Sequence, residues 1–495
     1  MNQQTPVSCR THILLLMAIT LTGLSTLYPL FYSGCAWESH DLIFNMERYS
    51  AATECLKDGQ FSARWSRDIN FGYGYPLLLF YPPLTVYFVA GLHLLTGIGI
   101  LSATKILVVL SMILSTGTAY LLGTFLWRSP WAAGLTAACY TLLPYHLLTI
   151  MTRGAVAEFT AHGLLPVLLW AYLRLGVSST RYRILAAAGA CAVLLLVHNA
   201  TWVVAVPMAI LLAVATSTRP LRTAYLTVLS TGTGMGLGAV YWLPAFVEKS
   251  HVAIGNLQQA HHLSYTRHFA TGSMILSESY AYAGLGTVLS VAWLLGGWGL
   301  LLRIPPPDQT LSGFRRWSAV LFLITPVIIV LTTAWSKPLW DSITLMQFIQ
   351  FPWRLTALAG LTAAAVAPAM LLLVPGQQSR MAVVIGIVIL LIGTGLLQTA
   401  RPIFRFNDRV GLGTHHLRTS GTTTVVGDEY RPQTVAVHPN DVFGPRTTTW
   451  KPDSDSAICV PDRDSSHAIS AFVISDTPMR LRVNCLWFPG WSGAM

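Results

Sequence analysis

Long apolar runs recur through the first four hundred residues, separated by short polar stretches. An α-helix rises 1.5 Å per residue, so about twenty apolar residues cross the roughly 30 Å hydrocarbon layer of a bilayer. By that measure the pattern predicts eleven spans, over about 12–32, 104–126, 131–150, 158–175, 183–197, 200–216, 223–245, 282–303, 317–334, 353–374 and 381–398. The first follows Arg10 and is too long for the core of a signal peptide, so it reads as an uncleaved anchor. A further run, 77–98, is broken by Pro82 and Pro83. If it crossed, Arg128 and the group Arg174, Arg181 and Arg183 would fall outside, against the rule that short basic loops stay inside. If it lies at the outer face, the inner loops hold eleven arginines against one acid, Asp308. The second arrangement is the one predicted, with the N-terminus inside and the C-terminus outside.

Two stretches depart from the spanning pattern. Residues 41–60 place Leu42, Ile43, Met46 and Tyr49 on one side and Glu47, Arg48, Glu54 and Lys57 elsewhere, which predicts an amphipathic helix. It belongs to a first outer loop over 33–103. Beyond residue 400 the apolar runs give way to short β-like strings separated by Gly, Pro, Asn and Asp. The expected organisation is a membrane domain over 1–400 and a small β-rich outer domain over 401–495.

Composition agrees with a polytopic α-helical membrane protein: 53% of 495 residues are hydrophobic, only 10% are charged, and the mean hydropathy is +0.55. The net charge of +11 would suit a nucleic-acid binder. Nearly all of the excess sits in the inner loops, however, while the outer parts are balanced, so the charge reports topology and no nucleic-acid partner is expected. Of the seven cysteines, Cys35, Cys55, Cys459 and Cys485 fall outside, where disulfides persist. Four cysteines allow three connectivities, and the local pairs 35–55 and 459–485 are the expected ones.

Charge in so apolar a chain is tolerated outside the bilayer or in a protein-lined cavity. The first outer loop gathers Glu38, His40 and Asp41, then Arg64, Tyr73 and Tyr81. The predicted topology brings Arg153 and Glu158, His198, the histidine-rich loop 246–280, and Arg354 to the same face. A carboxylate in the first loop could act as general base on an acceptor hydroxyl or amine. Arg153 or Arg354 could hold a phosphate leaving group through a bidentate fork. Glu158 could bind a divalent cation or orient the acceptor. Each residue also has a plainer reading. Asp41 suits a helix N-cap, Arg354 an interfacial anchor beside Trp353, Glu158 a simple pair with Arg153, and His198 a satisfied buried ring. The loop histidines show no metal-ligand spacing and read as solvated.

Several motifs together resemble a bacterial membrane family labelled 6-pyruvoyl-tetrahydropterin synthase-related, a label that implies no pterin chemistry here. They are His40-Asp41, the stretch from Asp58 to Trp65, Gly72 to Pro76, Phe80 to Leu84, Pro144-Tyr145, Arg153 to Glu158, His198-Asn199, Gln350 to Arg354, and Phe488 to Trp491. That family in turn resembles the GT-C glycosyltransferases in layout. The resemblance implies a sugar donor carried on a polyprenyl phosphate, membrane lipids as surroundings, and a bacterial cytoplasmic membrane location. It also implies Asp41 as catalytic base, with Glu38 and His40 beside it. Arg64, Tyr73, Tyr81, Arg153, Glu158, His198 and Arg354 are then substrate-binding candidates. The resemblance departs at Asn45, where a second histidine is expected after the His-Asp pair. A transporter or flippase for a lipid-linked intermediate is the alternative. It would place charges near the bilayer midplane and show two related halves, whereas here charges collect at one face and no duplication is visible.

Overall fold

Proline and glycine decide where the apolar runs become separate helices. The computed structural model describes residues 9–253, 264–271, 296–297 and 312–399, and short pieces between 403 and 492. The run expected over 131–150 is two helices, Pro130–Thr141 and Pro144–Met151, each with proline in its first turn, where the missing N–H has no intrahelical role. The run over 223–245 likewise divides at Gly238, between Pro220–Leu237 and Ala239–Glu248. Helices Arg181–Val197 and Asn199–Thr216 are separated by one residue, His198, so the hairpin there is as tight as the sequence predicts.

Among the described residues six segments are long and apolar enough to cross a membrane: Cys9–Thr26, Ile100–Trp127, Pro130–Met151, Val156–Val177, Asn199–Thr216 and Pro352–Leu372. Shorter apolar helices are Pro83–Thr96, Trp317–Leu331 and Gln378–Gly393. The 282–303 run lies outside the described residues except for 296–297. Pro83–Thr96 has 14 residues, about 21 Å of helix, which is short of the hydrocarbon thickness. It ends at Gly97 with φ of 73°, a left-handed C-cap.

The chain divides into two compact units, each assembled from three stretches. The first contains 1–40, 105–238 and 264–404. Its helices approach closely through small residues. A Cβ on Gly234 would lie 2.7 Å from the Ala188 carbonyl, and one on Gly163 would lie 3.1 Å from the Ser111 carbonyl. Hydroxyls bridge the same helices: Ser111 and Thr160 meet at 2.9 Å, and Thr118 donates to the Gly163 carbonyl at 2.8 Å. In an apolar environment such contacts hold helices together where no hydrophobic gain is available.

The second unit contains 41–104, 239–263 and 405–495. Helix Leu42–Lys57 packs on Pro83–Thr96, and Ala51 is also covered by Ile69, Tyr75 and Leu77. Enclosure on more than one side corrects the amphipathic expectation. Glu47 is buried at 4% exposure, whereas Ile43 is 42% exposed. The described strands beyond 405 form two antiparallel pairs, Trp450–Pro452 with Leu481–Val483 and Ile458–Asp464 with Ile469–Ile474.

Candidate functional site

The first unit builds its polar centre from two turns and a hairpin. Helix Pro144–Met151 ends in a glycine cap. The N–H groups of Arg153, Gly154 and Ala155 return to the carbonyls of Leu148, Ile150 and Thr149, with Gly154 at φ of 65°. That reversal leaves Arg153 facing the first turn of Val156–Val177, which carries Glu158. The helix N-terminus there favours a negative side chain.

The second turn is Gln350 to Arg354. Gln350 adopts φ of 65°, a region rare for a residue with a Cβ. Phe351 is extended, as a residue before proline must be, and Pro352 opens a short 3-10 helix, Pro352–Leu355. Arg354 stabilises the strained turn itself by donating from Nη1 to the Ile349 carbonyl at 2.7 Å. Unusual backbone over-determined by its surroundings often marks functional positions.

These turns converge on one carboxylate. Glu158 is 2% exposed, and its Oε2 lies 2.9 Å from Arg153 Nη1 and 3.3 Å from Arg354 Nε. Tyr145 donates its hydroxyl to Oε1 at 2.9 Å, and His162, one helical turn along, stands 3.9 Å from the same oxygen. The Arg153 guanidinium also lies over the Trp353 ring at 4.5 Å, and Trp353 stacks on Phe351 at 4.9 Å. Two guanidiniums against one carboxylate leave a net positive charge in a largely buried place. That arrangement suits an anion. It does not suit a divalent cation at Glu158, because two arginines repel a cation and already occupy the carboxylate. No group of three metal-ligating side chains occurs among the described residues.

His198 borders this cluster. Its Nδ1 accepts from the Thr201 backbone N–H at 3.2 Å, capping Asn199–Thr216, so the neutral ring carries its proton on Nε2. Burial pushes its pKa down to about 4; Glu158 opposes that shift and the two arginines add to it. A histidine is protonated in the unfolded chain below about pH 6.5. Between about pH 6.5 and 4 the unfolded state therefore binds the extra proton, and stability falls as pH falls. Melting of purified protein should show this slope, and His198→Gln should make it shallower. An identical slope in both proteins would exclude a buried neutral His198.

The stretch that precedes helix Leu42–Lys57 is bonded to the same turn. Trp37 donates from Nε1 to the Ile150 carbonyl at 3.0 Å, and the His40 backbone N–H donates to the Thr152 carbonyl at 3.1 Å. Glu38 and His40 are exposed. Asp41 follows as the N-terminal boundary of Leu42–Lys57, yet its side chain makes no capping bond. Its backbone carbonyl accepts from both the N–H and Nδ2 of Asn45.

The model of the 6-pyruvoyl-tetrahydropterin synthase related domain, described as a membrane protein, matches residues 78–401, which is more than half of the chain. The chain belongs to this family. Tyr81, Arg153, Glu158, His198 and Arg354 fall within the family domain, whereas Glu38, His40, Asp41, Arg64 and Tyr73 precede it. No curated protein matches the chain. Among solved structures, the arabinofuranosyltransferase AftD from Mycobacteria is 16% identical over 81% of this chain, with a TM-score of 0.49. This chain spans 28% of that protein's length. The oligosaccharyltransferase AglB from Archaeoglobus fulgidus, in complex with an inhibitory peptide and a dolichol-phosphate, is 12% identical over 81% of this chain and 56% of its own, with a TM-score of 0.45. ArnT from Cupriavidus metallidurans, bound to undecaprenyl phosphate, is 14% identical over 74% and 78%, with a TM-score of 0.36.

Within this family member the candidates group unevenly. Arg153, Glu158, His198 and Arg354 come together in the first unit. In the second, Tyr81 lies under the Arg48 guanidinium at 4.6 Å and its hydroxyl donates to Asn45 Oδ1 at 3.3 Å. Tyr73 is buried with Trp65, Leu79, Phe80 and Val252, a packing position. Arg64 is half-exposed and meets Glu248 at 3.5 Å. The 35–55 disulfide is not formed: both residues are thiols, and Cys55 is buried with its thiol donating to the Trp65 carbonyl at 3.2 Å. Cys459 is a free thiol, and Cys485 lies outside the described residues. His268 is half-buried, its ring edge on Phe351 at 4.6 Å, rather than solvated; His261 and His262 lie outside the described residues. Tyr145 and His162 were not among the predicted site residues. His162 stands four residues after Glu158 on one helix face, a spacing visible in the sequence.

Proposed function

We propose that this chain is a membrane glycosyltransferase that moves a sugar from a polyprenyl-phosphate donor to an acceptor at the outer face of the cytoplasmic membrane. In this reading Asp41 takes the proton from the acceptor hydroxyl or amine as that atom attacks the anomeric carbon. The bond between that carbon and the phosphate oxygen breaks, and the phosphate leaves with the electron pair. Arg153 and Arg354 stabilise the charge it carries away. Glu158 holds the two guanidiniums in place. A single observation carries the reading: a nearly buried cluster with an excess positive charge, built at the turn to which the first outer loop is hydrogen-bonded.

The test uses undecaprenyl phosphate as the probe with purified full-length protein. Arg354→Lys keeps the charge but loses the planar fork. Binding should weaken by about tenfold, the size of one lost charge-assisted hydrogen bond. Once a transfer assay is available, the loss should appear mainly in KM. Unchanged affinity in the variant, or no saturable binding by the unaltered protein, removes the cluster from the donor site.

A further inference from the structure

A second charged region lies at the other end of the same helices. From Glu158 to Arg174 the helix Val156–Val177 rises about 24 Å, and the neighbouring helices turn with it. Arg181–Val197 begins where Val156–Val177 has ended, Asn199–Thr216 runs back to this end, and Pro220–Leu237 starts from it. Arg174, Arg181, Arg183, Arg219 and Arg222 therefore collect around the loops 178–180 and 217–219. Between Glu158 and Glu248 the sequence contains no Asp or Glu at all. Among the described residues no carboxylate pairs with any of the five.

Topology alone would ask only for positive charge at this end. The structure adds a cavity and fixed guanidiniums. A cavity of about 280 Å³ is lined by Trp170, Arg174, Thr180, Tyr182 and Arg183. Arg174 rests on the Trp170 ring at 4.5 Å, and Arg181 on Tyr182 at 4.9 Å. Arg183 donates from Nη1 to the carbonyls of Arg174 at 3.3 Å and Ser178 at 3.5 Å. Arg222 donates to the Ser179 hydroxyl, which ties the start of Pro220–Leu237 to the same loop. The guanidiniums are thus held before any ligand arrives, and each keeps donors for an oxyanion.

The rim identifies the source of that oxyanion. Val177, Tyr182, Leu185 and Leu221 are each more than half exposed beside the arginines. Apolar side chains next to a positive cavity, at the end of membrane-spanning helices, fit acyl chains below a phosphate. We propose that this cavity is a binding site for the phosphodiester headgroup of an anionic phospholipid in the cytoplasmic leaflet, with Arg174 and Arg183 as its principal contacts. Juxtamembrane basic residues gain from anionic headgroups in this way, and basic pockets between helices on the cytoplasmic side take them up.

Native mass spectrometry of full-length protein in detergent tests the assignment, with phosphatidylglycerol and phosphatidylcholine as probes. Phosphatidylglycerol should be retained in preference, and the double variant Arg174→Gln, Arg183→Gln should lower its affinity roughly 10- to 30-fold, from two lost contacts. Arg380→Gln, at an arginine that does not line the cavity and is bonded to the Val374 carbonyl, should change little. An equal loss per removed charge in the two variants would reduce the effect to overall charge and overturn the site. Full displacement of the lipid by millimolar inorganic phosphate would assign the cavity to a soluble anion and overturn the lipid source. Phosphatidylglycerol should also raise the melting temperature of the unaltered protein above the value in phosphatidylcholine. Equal melting in both lipids would overturn the proposal without reference to any variant.

Discussion

Asp41→Asn is expected to lower sugar transfer by about 10² to 10⁴, the usual contribution of a general base, with folding and insertion close to normal. The structural reason for the second half is specific. Asp41 sits at the N-terminus of Leu42–Lys57, but its carboxylate makes no capping bond there. The contacts that tie it to the helix run through its backbone carbonyl, which accepts both bonds from Asn45. Asparagine preserves that carbonyl, the side-chain size and the preference for the position, and removes only the proton acceptor. The plain capping reading makes the opposite prediction, a small effect on both activity and stability, since asparagine caps as well as aspartate. Complementation of a deletion strain, scored by surface glycan, separates the two. Full complementation at matched expression would take Asp41 out of the base role, and with it the main ground for an enzymatic reading.

Glu158→Gln is expected to destabilise the first unit by about 3–5 kcal/mol, the range for removing one partner of a buried ion pair. Glutamine keeps the acceptor for the Tyr145 hydroxyl and fills the same volume. It leaves Arg153 and Arg354, which approached the same oxygen at 2.9 and 3.3 Å, as uncompensated like charges. Removing one guanidinium as well, in Glu158→Gln with Arg153→Met, should recover much of the loss. The recovery is the coupling energy that a double-mutant cycle measures. Melting in detergent is the readout. Additive losses from the two substitutions would mean that the three side chains are not one electrostatic unit.

Several of the expected spans were legible because burial in a bilayer demands a length and a composition, and both are written locally along the chain. Ile100–Trp127 and Val156–Val177 agree with the predicted boundaries to within a turn or two. The hairpin at His198 and the break at Pro82 were legible for the same reason. The enclosed helix Leu42–Lys57 was not. Its periodicity describes one covered face, whereas Ile69, Tyr75 and Leu77 cover it from another direction, and residues close in space but separated in sequence leave no period to read. The 35–55 disulfide failed similarly: sequence spacing allows a bridge, but the thiol of Cys55 is turned toward the Trp65 carbonyl.

In the candidate site the individual residue types were visible from the start, since charge is scarce in so apolar a chain and each arginine or glutamate needs a reason. The expected compartment rests on them too, because short basic loops between spans favour the inner side of a membrane. Which of them meet was a different matter. Glu158 and Arg354 are brought within 3.3 Å of one another across nearly two hundred residues by the packing of Thr356–Val366 on Pro144–Met151 and Val156–Val177 and by a strained turn at Gln350. Local pattern carries the energy of transfer into a membrane, which is a sum over single residues. Convergence on one carboxylate is a property of pairs, and pairs are specified only when the helices have packed.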